Sequence, residues 1–121
     1  MTRKRVAAIV TEYRENSHAD VIVTKLLEGY RLYGVETEPR IEVASLYLDL
    51  VPANDIGLAM AAKHGVPVYG TIAEAIGLGR PGVNVDGVLL IGEHGAYGRN
   101  ERDQILYPRR RFFEAAISTI A

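Results

Sequence analysis

Two short stretches collect most of the residues that could do chemistry, and each follows an apolar run: "TEYRENSHAD", residues 11–20, and "GEHGAYGRN", residues 92–100. The first lies where a nucleotide-binding α/β domain carries its glycine-rich phosphate loop, yet it contains no glycine. Glu12, Tyr13, Arg14, Asn16, Ser17 and His18 stand there instead. A helix opening at this point presents free backbone N–H groups and a positive dipole end. Arg14 adds a cation, and Asn16 and Ser17 add donors, so an anion could bind without glycine. Glu12, Glu15 and Asp20 oppose it, and Tyr13 adds bulk where a pyrophosphate would lie. The plain alternative is a capped helix behind a solvated polar loop.

In the second stretch Gly92 and Gly95 flank Glu93 and His94. Glycines permit a tight turn and the close approach of a ligand. A carboxylate beside an imidazole suits acid–base work or a divalent cation. Glu93 and His94 are therefore the candidate catalytic residues, with Glu12 converging on them and His18 and Asp49 at the periphery. Neither His-Glu-x-x-His nor an EF-hand loop is present, and no metal is assigned. The plain alternative is that Glu93 and His94 hydrogen-bond across a glycine-rich turn. His64 reads as an imidazole favoured by a helix C-terminus. "RRR", 109–111, places three cations in the first turn of a helix, against its dipole. Pairing with Glu101, Asp103 or Glu114 would compensate; a bound anion or a partner's acidic surface would do the same.

The elements that must position these residues are legible from periodicity. "RVAAIVT", 5–11, is a continuous apolar run suited to a strand covered on both faces. Ala19, Ile22, Val23, Leu26, Leu27 and Tyr30 recur at helical spacing, behind a capping box of Ser17 and Asp20. The spacing predicts a helix from about Ser17 to Gly29. A polar connection leads to a second strand, 41–50. "PANDIGLAMAAKHG" predicts a helix with Pro52 near its start and Gly65 as its stop. "VPVYG" is a short third strand, Thr71 and Glu74 cap a short helix over "IAEAIGLG", and "GVLLIG", 87–92, is a fourth strand. Pro108 opens a last helix marked by Phe113, Ala116, Ile117 and Ile120. Strands alternating with helices pair in parallel. The fold class expected is α/β: a Rossmann-like three-layer open parallel sheet of strand order 3-2-1-4, as one domain over residues 1–121. Ligands of such sheets bind at the carboxyl ends of the strands.

The tract "AAKHGVPVYGTIAEAI", with the later "VDGVLLIGEHG", resembles the N-terminal domain of the glucose-fructose oxidoreductase and inositol dehydrogenase family. The matching positions are Gly65, Val66, Pro67, Tyr69, Thr71, Glu74, Ala75 and the strand Val88 to Ile91, with residues 30–40 as an insertion. "LIGEHG" and "YPRRRFFE" also resemble a narrower bacterial subgroup. The resemblance implies an NAD or NADP cofactor, with Asp49 where the family places the acid that contacts the adenosine ribose. It further implies a C-terminal substrate domain introduced by a catalytic lysine in an "EKP" motif, which lies beyond Ala121. Hydride transfer is therefore not expected from this stretch alone.

Composition narrows the alternatives. Hydrophobic residues make up 48% of the 121 and charged residues 24%, a globular balance. A formal net charge of −1 favours neither nucleic acid nor an anionic membrane. Without cysteine there are no disulfides or thiolate metal sites. No apolar run reaches spanning length, and "VAAIV" is too short for a signal peptide core, so a soluble cytoplasmic protein is expected. The leading function is a nucleotide- or NAD(P)-binding domain of an oxidoreductase-like protein. Its cofactor site would be built from Glu12, Arg14, Asn16, Ser17, Asp49 and Gly92. The rivals are a fold-only descendant binding another small ligand or a metal, and an interaction module. A missing C-terminal domain or a second copy would cover the open sheet edge.

Overall fold

The computed structural model describes residues 3–121. At its centre is β1 (Lys4–Val10), whose residues from Val6 to Val10 are buried. It is flanked in parallel by β4 (Ile41–Leu48) and β6 (Gly87–Ile91), and β4 pairs in turn with the two-residue β5 (Val68–Tyr69). β1 needs no alternation of apolar and polar residues, because helices cover both faces of the sheet. On one face Val6, Ala8 and Val10 pack against Val23, Leu26, Leu27, Met60 and Ala61. Those belong to the first helical segment and to α2 (Gly57–His64). On the other, Ala7 and Ile9 meet α3 (Ile72–Gly77) and α4 (Arg109–Ile120) through Ile72, Ala75, Ile76, Phe112 and Ala116. The result is a mixed α/β architecture with a four-stranded parallel sheet, compatible with a Rossmann-like fold.

The strand order is β5-β4-β1-β6, which differs in its numbering from the expected 3-2-1-4. The difference comes from residues 30–37. Read as part of a polar connection, they form an antiparallel hairpin of β2 (Tyr30–Leu32) and β3 (Val35–Thr37), which adds two strands to the count outside the main sheet. Tyr33 and Gly34 at its tip both have positive φ, the conformation of a tight primed turn. Three strand residues per side gave too little alternation to be seen.

The first helical segment runs over 18–28. Ser17 Oγ accepts from the Asp20 amide at 3.2 Å, and Asp20 Oδ2 accepts from the Asn16 amide at 2.8 Å, so the capping box forms one residue wide of its usual return bond. Its middle is a π-helical turn, Asp20–Thr24, followed by α1 (Lys25–Glu28). Thr24 donates to Asp20 Oδ1 at 2.7 Å across that turn. With its proton committed there, Thr24 is the acceptor for the Tyr13 hydroxyl at 2.5 Å.

Two boundaries need correction. α2 begins at Gly57 rather than near Pro52, because Pro52 and Asp55 close a turn first and Asp55 Oδ2 then accepts from the Leu58 amide at 3.0 Å. Pro108 precedes α4 as its cap, and the buried residues of α4 are Phe112 and Ala116. Phe113, Ile117 and Ile120, expected in the same stripe, are exposed beside the open edge strand β6. No helix among the described residues is long and apolar enough to cross a membrane.

Gly57 shows how tightly the loop after β1 is seated on α2. A Cβ there would stand 2.9 Å from Tyr13 Cβ, 3.1 Å from Leu48 Cδ1 and 3.2 Å from Asp55 Oδ1. Tyr13 Cβ is fixed to the main chain and cannot swing aside. Gly57→Ala is expected to lower stability by about 1–3 kcal/mol through overpacking. Urea unfolding followed by circular dichroism measures it; an unchanged midpoint would show that the loop yields freely.

Candidate functional site

Three loops leave the carboxyl ends of β1, β4 and β6, and main-chain bonds stitch them together. The Thr11 amide donates to Ile91 O at 3.1 Å, and its hydroxyl donates to Glu93 O. Leu50 N donates to Thr11 O at 2.8 Å, and Ile56 N to Tyr13 O at 2.8 Å. The loop after β1 is thereby held to both neighbours. His94 then takes a left-handed conformation, φ 66°, and Gly95 follows at 128°. A non-glycine residue in that region costs on the order of 1 kcal/mol or more, so the turn has to be held from outside. Its effect is to fold the chain back and set the His94 ring between Arg14 and His18.

The ring bonds define the cluster. Arg14 Nε donates to Glu12 Oε1 at 2.6 Å, and its Nη2 lies 3.3 Å from His94 Nδ1. His94 Nε2 lies 2.7 Å from His18 Nδ1, with the ring centroids 4.7 Å apart. Glu12 is buried, Arg14 and His94 are half-buried, and His18 is exposed. Burial lowers the pKa of His94 first, and the neighbouring Arg14 guanidinium and His18 ring lower it further. The carboxylates of Glu12 and Glu93 oppose this without cancelling it. His94 is therefore neutral at neutral pH.

The expected cofactor-site residues are mostly engaged in bonds within the protein. Tyr13 is not in a phosphate position at all. Its side chain is fully buried against the first helical segment, and burial above all pushes its pKa up to about 12. Ser17, also fully buried, caps the helix, with Oγ accepting from the Arg14 and Asp20 amides. Asn16 supplies a positive-φ turn and gives its amide to Asp20. Gly92 lets α4 come close: a Cβ there would meet Arg109 Cγ at 2.9 Å. Asp49 accepts from Tyr47 Oη at 2.5 Å, Tyr97 Oη at 2.7 Å and Arg111 Nη2 at 2.7 Å. Tyr97 comes from the loop after β6, which the Asp49 bond pins across the end of β4.

The arginine run is compensated residue by residue. Arg109 Nη2 pairs with Glu93 Oε2 at 2.5 Å, Arg110 with Glu114 at 2.8 Å, and Arg111 with Asp49 at 2.7 Å. Of the partners expected for this run, Glu114 is used, while Asp103 pairs with Arg99 instead. Glu93 is thus committed to Arg109 rather than free beside His94. Among the described residues no group of three or more His, Asp or Glu side chains is placed to hold a metal. The combination of Glu12, Glu93 and His94 fails as a metal site for a visible reason: each carboxylate already faces an arginine.

Beside the cluster lies a groove of about 410 Å³, open along the edge of β6. His18, Glu93 and Arg109 form its polar rim, and Ile22, Leu90 and Phe113 supply apolar wall. Ile22, Leu90 and Phe113 were not singled out by sequence as site residues, and Arg109 was read only as part of the arginine run. The signal for His18 was the capping box, which places the residue after Ser17 at the sheet end of the helix; the groove's apolar wall carried no signal beyond helical periodicity. No family model, curated protein or solved structure matches the chain.

The Asp49 latch gives a pH-dependent test. Burial raises its pKa, but bonds from Arg111, Tyr47 and Tyr97 outweigh that and hold it below the ordinary 3.8. A depressed carboxyl stabilises the fold above its unfolded pKa, and the gain is lost as pH falls through the folded value. Asp49→Asn is expected to cost about 1–3 kcal/mol at neutral pH, since charge-assisted bonds are removed. At about pH 3, below the unfolded pKa, the gap between the two proteins should have narrowed. Urea midpoints at both pH values decide it; an equal loss at the two would show that packing, not charge, is what the substitution removes.

Proposed function

We propose that this domain binds a small ligand in the groove beside β6, with His18 and Arg109 facing it and Arg14 and His94 held behind. One observation carries the reading: the run Glu12–Arg14–His94–His18 is continuous and ends at the groove wall. A purely structural cap needs no such relay, since Ser17 and Asp20 already satisfy the first turn. The groove combines an apolar wall with a few convergent polar groups, the usual make-up of a small-molecule site. In this role the protein is a ligand-binding descendant of a cofactor-type α/β domain.

A second reading keeps NAD or NADP, as the cofactor domain of an oxidoreductase-like protein. It is favoured by Asp49 at the end of β4 and by a helix opening at the end of β1. In that reading the adenosine ribose contacts Asp49, so Tyr97 and Arg111 have to release it first.

Amide chemical-shift mapping separates the two. Titration with small-molecule fragments is expected to move residues 17–18, 92–95 and 109 and to leave 49–50 and 97 unmoved. Saturable shifts at Asp49, Leu50 and Tyr97 with NAD or NADP would establish the second reading. Fragment binding confined to other parts of the surface would remove the first.

A further inference from the structure

We infer that Arg14 fixes the tautomers of both histidines so that His18 presents a hydrogen-bond donor to the groove, and that the ligand therefore carries a carboxylate or carbonyl oxygen on an apolar body. The inference rests on the groove beside β6 being the ligand site.

The wiring follows from what each group can do. A guanidinium has five N–H donors and no acceptor. His94 Nδ1, 3.3 Å from Arg14 Nη2, is therefore the acceptor and carries no proton. Neutral His94 then has its proton on Nε2. That nitrogen lies 2.7 Å from His18 Nδ1, so His94 donates and His18 Nδ1 accepts. Neutral His18 in turn carries its proton on Nε2, the nitrogen left for a ligand. Glu12 anchors the far end by holding Arg14 at 2.6 Å, so the chain of donors runs in one direction, from a buried carboxylate to the groove. Arg14 and His94 are positioning residues; His18 is the contact.

The rest of the rim narrows the ligand. Arg109 also only donates, and Glu93 takes one of its N–H groups. A ligand head that accepts from both His18 and Arg109 is thus matched, whereas an ammonium head finds only Glu93, already paired with Arg109, to receive it. The charges at the rim balance: Arg14 faces Glu12, and Arg109 faces Glu93. A dianionic phosphate meets two carboxylates with no uncompensated cation, so a singly charged or neutral oxygen head fits better. Ile22, Leu90 and Phe113 take the apolar body.

Two measurements test this on the whole chain. Long-range ¹H–¹⁵N correlation spectra of the imidazoles read tautomers without any ligand. His94 and His18 are both expected as the Nε2–H form, and Arg14→Gln, whose amide both donates and accepts, should let His94 populate the Nδ1–H form. Titration with phenylacetate, phenylacetamide and phenethylamine then compares three heads on one body. The acid and the amide should bind at least about tenfold more tightly than the amine, the difference one well-formed bond makes. His18→Gln, which can offer a donor where Nε2 stood, should keep much of that preference, and His18→Phe should lose it. An Nδ1–H form of His94 in the wild type overturns the wiring. Equal or tighter binding of the amine overturns the ligand class. Tautomers as inferred with none of the three probes entering the groove would overturn the ligand inference through its site, leaving the wiring in place.

Discussion

The constraint on which the structure depends is that β1 has no free side. Val6 to Val10 are buried, with strands on both edges and helices on both faces. Alternate residues divide between the two cores, so Val6, Ala8 and Val10 hold one pair of helices and Ala7 and Ile9 the other. Small residues at positions 7 and 8 let those helices come close to the sheet. Because the strands are parallel, their carboxyl ends share one edge, and the loops after β1 and β6 start beside each other. The bonds from Thr11 to Ile91 and Glu93 are the direct consequence. Everything said of His18 and His94 depends on that adjacency.

A second constraint is charge. The carboxyl edge carries Glu12, Asp49 and Glu93 against Arg14, Arg109 and Arg111, and each acid faces one arginine. Glu12 and Asp49 are largely withdrawn from water, and pairing offsets the hydration they lose, while Arg109 and Arg111 stay exposed. The three arginines of 109–111, adverse to the helix dipole when read alone, make sense as partners for acids on other elements. Paired in this way, these six residues leave no surplus cation at the edge. What pairing leaves unmatched is polarity, not charge: a ring nitrogen of His18 with its proton directed outward.

How much of this was legible in the sequence follows the length scale of each feature. The continuous run of β1, the helix behind Ser17, the short helix behind Thr71 and the strand at 87–91 were readable, since each is a local pattern over several residues. The juxtaposition of residues 12–18 with 92–94 was readable too, once the strands were taken as parallel. The role of Tyr13 was not. A tyrosine in a polar loop reads as exposed, and only the π-helical turn brings Thr24 under its hydroxyl. The fate of Asp49 was equally hidden, because Tyr97 and Arg111 are 48 and 62 residues away. The exposed stripe of Phe113, Ile117 and Ile120 shows the limit of periodicity. Helical spacing finds an apolar face but cannot say whether it meets the sheet or lies beside its open edge.

Tyr97 bound to Asp49 lays the loop after β6 over the end of β4, and Gly95 packs so closely that a Cβ would stand 2.5 Å from Tyr97 Cε2 and 3.0 Å from Leu50 Cδ1. That covers the carboxyl end of β4, where the acid that contacts the adenosine ribose stands in a Rossmann sheet, and leaves the switch point between β1 and β6 to the other side. On the other side β6 is the last strand of the sheet, and among the described residues no strand pairs with its outer edge. His18 and Arg109 face that open side. The same loop thus shuts one half of the carboxyl edge and, through the left-handed turn at His94, arranges the other half. The left-handed turn at His94 costs on the order of 1 kcal/mol, and the bonds of its ring to Arg14 and His18 are what hold it in place.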